Sequence, residues 1–161
     1  MDLQIKPLIH ADVSSAEDLS HILIAAWRAG FRGILSDDII AKFTVFENCR
    51  AMFVQILSSG IGTMYLATLN GQPAGLLYWL PEQEDIRIEA LLTVPQAWGK
   101  GVAAALMQRL LADGAAFRAV HVWPFAENHR ARRFYEKHGF SPSGNTRMGD
   151  AAEVEYIRMI T

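Results

Sequence analysis

The 161 residues suffice for one domain with a substantial core and are too few for two ordinary ones. Apolar residues make up 51% and charged residues 20%, which excludes intrinsic disorder as the main state. Fifteen Lys and Arg against seventeen Asp and Glu leave a formal charge of −2 with His neutral, so nothing draws the whole chain to nucleic acid or anionic lipid.

Cys49 is the single cysteine, which rules out an internal disulfide framework and a thiolate metal cage. The first residues, Met1-Asp2-Leu3-Gln4-Ile5-Lys6, lack the basic-then-apolar layout of a signal peptide. No apolar run approaches the ~20 residues that span a bilayer. The expectation is one soluble cytoplasmic domain over residues 1–161, with no nucleic-acid or membrane partner.

Alternation over Leu3–Ile9 predicts a first strand. Ser14 or Ser15, followed three residues later by Glu17 or Asp18, reads as a helix N-cap. Leu19, Ile22, Leu23, Ala26 and Trp27 then recur at helical spacing up to Gly30. Ser36-Asp37-Asp38 opens a second helix through Phe43, and a third runs from Glu47 to Leu57. Thr63–Leu69 and Ala74–Leu80 read as strands joined by Asn70-Gly71, a hairpin signal. Asp85–Thr93 is a further strand after the break at Pro81-Glu82-Gln83-Glu84. A helix from Gly101 to near Gly114, a strand over Phe117–Trp123, a helix over Asn128–His138 and a strand over Glu153–Ile160 complete the order. Ser141-Pro142-Ser143-Gly144-Asn145 reads as a turn-rich connection, with the segment to Asp150 poised as a mobile lid. The pattern is α/β: a largely antiparallel sheet with a late crossover.

The chemistry-bearing stretch is Ala90-Leu91-Leu92-Thr93-Val94-Pro95-Gln96-Ala97-Trp98-Gly99-Lys100-Gly101-Val102-Ala103. A strand ends at a proline, and two glycines open an apolar helix. Free amides at such a helix start, with the positive end of its dipole, form a cradle for phosphate. Neither the G-K-[ST] of a P-loop nor G-x-G-x-x-G is present. By themselves the two glycines are also consistent with a tight turn.

Farther along comes Asn128-His129-Arg130-Ala131-Arg132-Arg133-Phe134-Tyr135-Glu136-Lys137-His138-Gly139-Phe140. Together the two stretches resemble the acyl-CoA-binding core of the GNAT superfamily of N-acetyltransferases. The second matches N-x-x-A-x-x-x-Y-E-K-x-G-F nearly throughout, and in the first Pro95, Gly101 and Ala103 match. Trp27–Asp38 is similar to the first-helix segment of many small bacterial members. Two positions depart from the pattern. Trp98 stands where Gln or Arg is usual, so the loop lacks that polar side chain, and Thr93 stands where Val is usual.

The resemblance implies a mixed, largely antiparallel central sheet flanked by helices and splayed at the coenzyme site. It implies acetyl-CoA as donor and direct attack by a primary amine of a small molecule, with no acyl-enzyme. The alternatives are acetylation of a protein N-terminus or lysine, or a non-catalytic acyl-CoA-binding module of the same fold. A homodimer is compatible with the resemblance. By position, Leu91, Leu92 and Thr93 meet the pantetheine arm, Gly99, Lys100, Gly101, Val102, Ala103 and Ala104 cradle the pyrophosphate, and Asn128 lies against the arm. Tyr135 is the candidate acid for the coenzyme thiolate, since a phenol of pKa near ~10 is protonated at neutral pH. The competing reading of Tyr135 is an amphipathic side chain at a helix surface. Glu89 is the candidate base for the amine, against a solvated partner of Arg87, with Glu84 and Asp85 as loop-borne substitutes.

Elsewhere the plain readings prevail. The five histidines show no metal-ligand spacing, so no metal is expected. Arg130, Arg132, Arg133 and Lys137 read as a solvated helix face whose first arginines stand in reach of a coenzyme 3′-phosphate. Cys49 reads as a small buried hydrophobe and Asp113 as functionless. Phe31, Phe43, Phe46 and Trp79 are candidate walls of an acceptor pocket.

Overall fold

The structure is a computed structural model and describes residues 1–160. In chain order the elements are β1 (Leu3–Leu8), α1 (Ala16–Gly30), α2 (Asp37–Phe43), α3 (Phe46–Ser59), β2 (Thr63–Leu69), β3 (Gln72–Glu82), β4 (Asp85–Thr93), α4 (Val102–Asp113), β5 (Ala119–Val122), α5 (His129–Lys137), β6 (Ser141–Met148) and β7 (Ala152–Met159). The seven strands form one sheet in the order β1-β2-β3-β4-β5-β7-β6. β4 and β5 pair in parallel and the remaining neighbours are antiparallel. The parallel pair needs a crossover, and α4 supplies it. The expected mixed, largely antiparallel sheet with a late crossover is therefore observed.

Alternate residues of the central strands feed two cores. Tyr65, Leu77, Trp79, Ile86, Ile88, Val120 and Val122 pack with Leu106 and Leu110 of α4 and Tyr135 of α5. On the other face, Met64, Leu66, Leu76 and Tyr78 pack with Leu19, Ile22 and Leu23 of α1 and Phe53 and Leu57 of α3. Burial on both faces explains why these strands read as nearly continuous apolar runs. At the β2–β3 turn, Asn70 and Gly71 have φ of 53° and 80°, the two positive values that a tight hairpin turn needs.

Two expectations are corrected. The chain enters α1 through a 3₁₀ turn over His10–Ser15, and Ser15 makes no side-chain cap; Asp12 instead accepts a hydrogen bond from the Ile9 amide at 2.9 Å. The segment expected to be a turn-rich lid is β6, paired with β7 from Ser141↔Ile157 to Met148↔Ala152. All eight residues of β6 are exposed, so it carries no apolar alternation and its strand character comes from pairing with β7. A register shift between Pro142 and Thr146 absorbs the Ser, Gly and Asn that suggested turns.

β4 and β5 pair only at Ile86↔Val120 and Arg87↔His121. Beyond that point they part. Against β3, Ala90 lies opposite Tyr78 and Ile88 opposite Trp79, so Glu89 is an extra residue in β4. Such a bulge bends and twists its strand, which turns the end of β4 away from β5. β5 stops at Val122, shortly before Pro124, which has no N–H to continue a ladder.

Candidate active site

The splay leaves a cleft with two walls. One is the end of β4 with the start of α4; the other is the loop after β5 with the start of α5. Leu91, Leu92 and Thr93 pair on one side with Leu77, Leu76 and Gly75 of β3, and among the described residues no strand meets their other edge. That edge offers main-chain donors and acceptors to an extended ligand arm.

At the head of α4, Gly99 and Gly101 have φ of 76° and 82° on either side of exposed Lys100. Alternating left-handed residues turn successive amides toward one point, a concavity suited to an anion. Gly101 is the N-cap and has no side chain to satisfy the helix start. The first helical amide to find an acceptor is that of Ala105, on the Gly101 carbonyl at 3.0 Å. Among the described residues the amides of Val102, Ala103 and Ala104 have no partner. A diphosphate fits these groups on hydrogen-bonding capacity and on the helix dipole.

On the opposite wall, Asn128 caps α5 by accepting from the Ala131 amide at 3.2 Å. Arg132 is tied down, with Nε donating to the Tyr156 hydroxyl at 3.0 Å and Nη1 to the Ala126 carbonyl at 2.9 Å. It belongs to the packing of α5 on β7 and not to a free basic face.

Tyr135 is not a surface tyrosine. It is 5% exposed and packs beside Phe134, Phe140 and Tyr156. The other three tyrosines have committed hydroxyls: Tyr65 donates to Asp113 Oδ2 at 2.7 Å, Tyr78 to the Ile61 carbonyl at 2.6 Å, and Tyr156 to Glu136 Oε2 at 2.6 Å. The Tyr135 hydroxyl has no hydrogen-bond partner among the described residues. The residue is nearly sealed but keeps a small accessible surface. Burial raises its pKa above the ordinary phenol value, which keeps the proton on oxygen through the neutral range.

Glu89 sits at the bulge, with its carboxylate about half exposed and 3.4 Å from Arg87 Nη2. Arg87 also meets Glu82, at 3.2 Å. Asp85, expected near a loop, opens β4 and is buried. Its carboxylate takes two hydrogen bonds from Arg118, at 2.9 and 2.7 Å, and lies 2.7 Å from His121 Nε2. The Arg118 guanidinium holds Asp85 well below the usual carboxylate range, so Asp85 is committed to structure and is a poor base. Glu84 is exposed in the turn, where its carbonyl accepts from the Arg118 amide at 2.9 Å.

The expected acceptor walls divide. Trp27 packs against Phe31 and Phe43, and Phe31 meets Phe125 of the loop after β5 edge-on at 5.1 Å. This row links α1 and α2 to the far wall of the cleft. Phe46 instead lies beside His21. Trp79 is a correction: it is buried on the α4 face, edge-on to Phe117, with Nε1 donating to the Tyr65 hydroxyl at 3.1 Å. Pleat parity decides this, because Tyr78 and not Trp79 points to the α1 side. Phe125 carried no sequence signal, since it acts through a contact made in three dimensions. Cys49 is buried as expected.

Comparison with known proteins follows the same lines. The model of the acetyltransferase (GNAT) family matches residues 19–140. An uncharacterized N-acetyltransferase of Mycobacterium tuberculosis is 27% identical over 150 residues, covering 90% of this chain and 96% of that protein. A probable N-acetyltransferase of the same organism is 30% identical over 128 residues, 74% of this chain and 71% of the other. Among solved structures, the PaiA N-acetyltransferase of Thermoplasma acidophilum in complex with coenzyme A superposes with a TM-score of 0.80 over 99% of both chains, at 16% identity.

Proposed function

Given that the chain belongs to the GNAT acetyltransferase family, with acetyl-CoA as donor, we propose that it acetylates a primary amine of a small molecule by direct attack. The donor brings the acetyl thioester. Gly99 through Ala104 would hold its diphosphate by main-chain amides, and Leu91, Leu92 and Thr93 would pair with its arm along the free edge of β4. Asn128, while capping α5, lies on the wall facing that edge. Fixing the arm between a strand edge and a helix start sets the reacting carbon without side-chain chemistry.

Tyr135 carries the proposal, as the one tyrosine whose hydroxyl has no partner among the described residues. A buried phenol that keeps its proton is suited to protonating the sulfur as the carbon–sulfur bond breaks. Glu89 takes the proton lost by the amine. Its half-exposed carboxylate reaches bulk solvent directly, and Arg87 holds it in place. The acceptor meets Trp27, Phe31 and Phe43, where the Phe31–Phe125 contact narrows the opening between α1 and the far wall. A narrowed aromatic opening favours a compact amine over an extended protein segment.

The test is Tyr135→Phe, assayed by thiol release with a panel of small amines and of peptides. Turnover should fall about 100-fold, while affinity for coenzyme A changes less than about twofold. Undiminished turnover would remove Tyr135 from the reaction, and preference for peptides would replace the small-amine acceptor.

A further inference from the structure

Trp98 and Arg130, at positions 98 and 130 of the chain, meet across the cleft. The Arg130 guanidinium carbon lies 3.6 Å from the centre of the Trp98 ring. Trp98 immediately precedes Gly99 on the β4–α4 loop, and Arg130 is the second residue of α5. This contact therefore joins the walls that the splay of β4 and β5 separates. The Trp98 ring is itself anchored, with Nε1 donating to the Thr93 carbonyl at 3.3 Å. Arg130 forms no ion pair and no side-chain hydrogen bond among the described residues, so its donors are uncommitted, unlike those of Arg132.

We propose that Arg130, laid on the Trp98 ring, is a coenzyme-binding residue that supplies to the diphosphate, from the α5 wall, the side-chain donors that Trp98 does not provide at its own position in the β4–α4 loop. Stacking occupies the guanidinium face and leaves its edge N–H groups free for phosphate oxygens. Trp98 adjoins Gly99, so the ring that carries the guanidinium belongs to the loop leading into the unpartnered amides of α4, and in this proposal helix dipole and guanidinium act on the same anion. Trp98 is then a positioning residue, holding Arg130 through its ring and itself through Thr93. The inference rests on the coenzyme site proposed above and goes beyond it in naming the side-chain pair that reads the diphosphate.

The experiment is calorimetric binding of coenzyme A and of dephospho-coenzyme A, which keeps the diphosphate and lacks the 3′-phosphate. Wild type, Arg130→Ala, Arg130→Lys, Trp98→Ala and Trp98→Phe are compared. Arg130→Ala should weaken both ligands to the same extent, by about tenfold. Trp98→Ala should weaken both similarly, Trp98→Phe should stay near wild type because a ring remains, and Arg130→Lys should recover only part of the loss. In the double variant Trp98→Ala/Arg130→Ala the losses should not add, as for residues acting as a unit. Unchanged binding in Arg130→Ala would overturn the proposal. A loss confined to coenzyme A would move Arg130 to the 3′-phosphate and overturn the diphosphate assignment. Absence of binding by the wild-type protein would overturn the coenzyme site itself, and the proposal with it.

Discussion

His121 Nε2 lies 2.7 Å from Asp85 Oδ2, and the same imidazole places Nδ1 3.0 Å from Glu155 Oε2. The ring thus bridges β4 and β7 at the last paired position before β4 and β5 part. Asp85 is held further by Arg118, and Glu155 by Ser143 at 2.7 Å and Asn145 at 2.9 Å. Burial alone would lower the His121 pKa, but the hydrogen bonds and charges of Asp85 and Glu155 outweigh it and the net shift is upward.

A pH dependence follows from that direction. The folded protein keeps a proton on His121 that the unfolded chain releases near pH ~6.5. The resulting stabilisation is complete below that value and is lost as pH rises through the higher folded-state pKa. Urea midpoints of wild type and His121→Gln, measured from pH 5.5 to 9 (roughly the window of histidine titration), should converge as pH rises. A constant gap across the series would show that the imidazolium contributes nothing.

Trp79 should matter to stability and not to the acceptor. Trp79→Phe removes the donor to Tyr65 and leaves space beside Phe117. Stability should drop by about 1–3 kcal/mol in urea titration, with the acceptor KM unchanged. A raised acceptor KM at unchanged stability would return Trp79 to the pocket wall.

Gly101 isolates backbone conformation from packing. A Cβ built there meets no heavy atom within 4 Å, yet its φ of +82° is left-handed. Gly101→Ala should therefore cost about 1–2 kcal/mol through backbone strain alone, and coenzyme affinity should fall as the loop relaxes. Thermal midpoints with and without coenzyme A separate the two effects. A variant as stable as wild type that binds as well would show that the loop does not depend on this conformation.

The glycine turn at the head of α4 and the Asn128 cap of α5 were legible in the sequence because their parts are local. Gly99-Lys100-Gly101 followed by an apolar helix specifies a left-handed turn and a row of free amides within a few residues, and Asn128 specifies a cap within three. The Asn70-Gly71 hairpin and the helices were legible for the same reason. Tertiary structure decided what depends on distant partners. β6 is a strand because β7 pairs with it. Asp85 is withdrawn from chemistry by Arg118 and His121, and Trp79 faces α4 because of pleat parity. Most of all, the chain brings Trp98 to Arg130 and, among the described residues, leaves the Tyr135 hydroxyl without a partner while the other three tyrosines have one, because sheet order, and not spacing along the chain, sets which side chains meet.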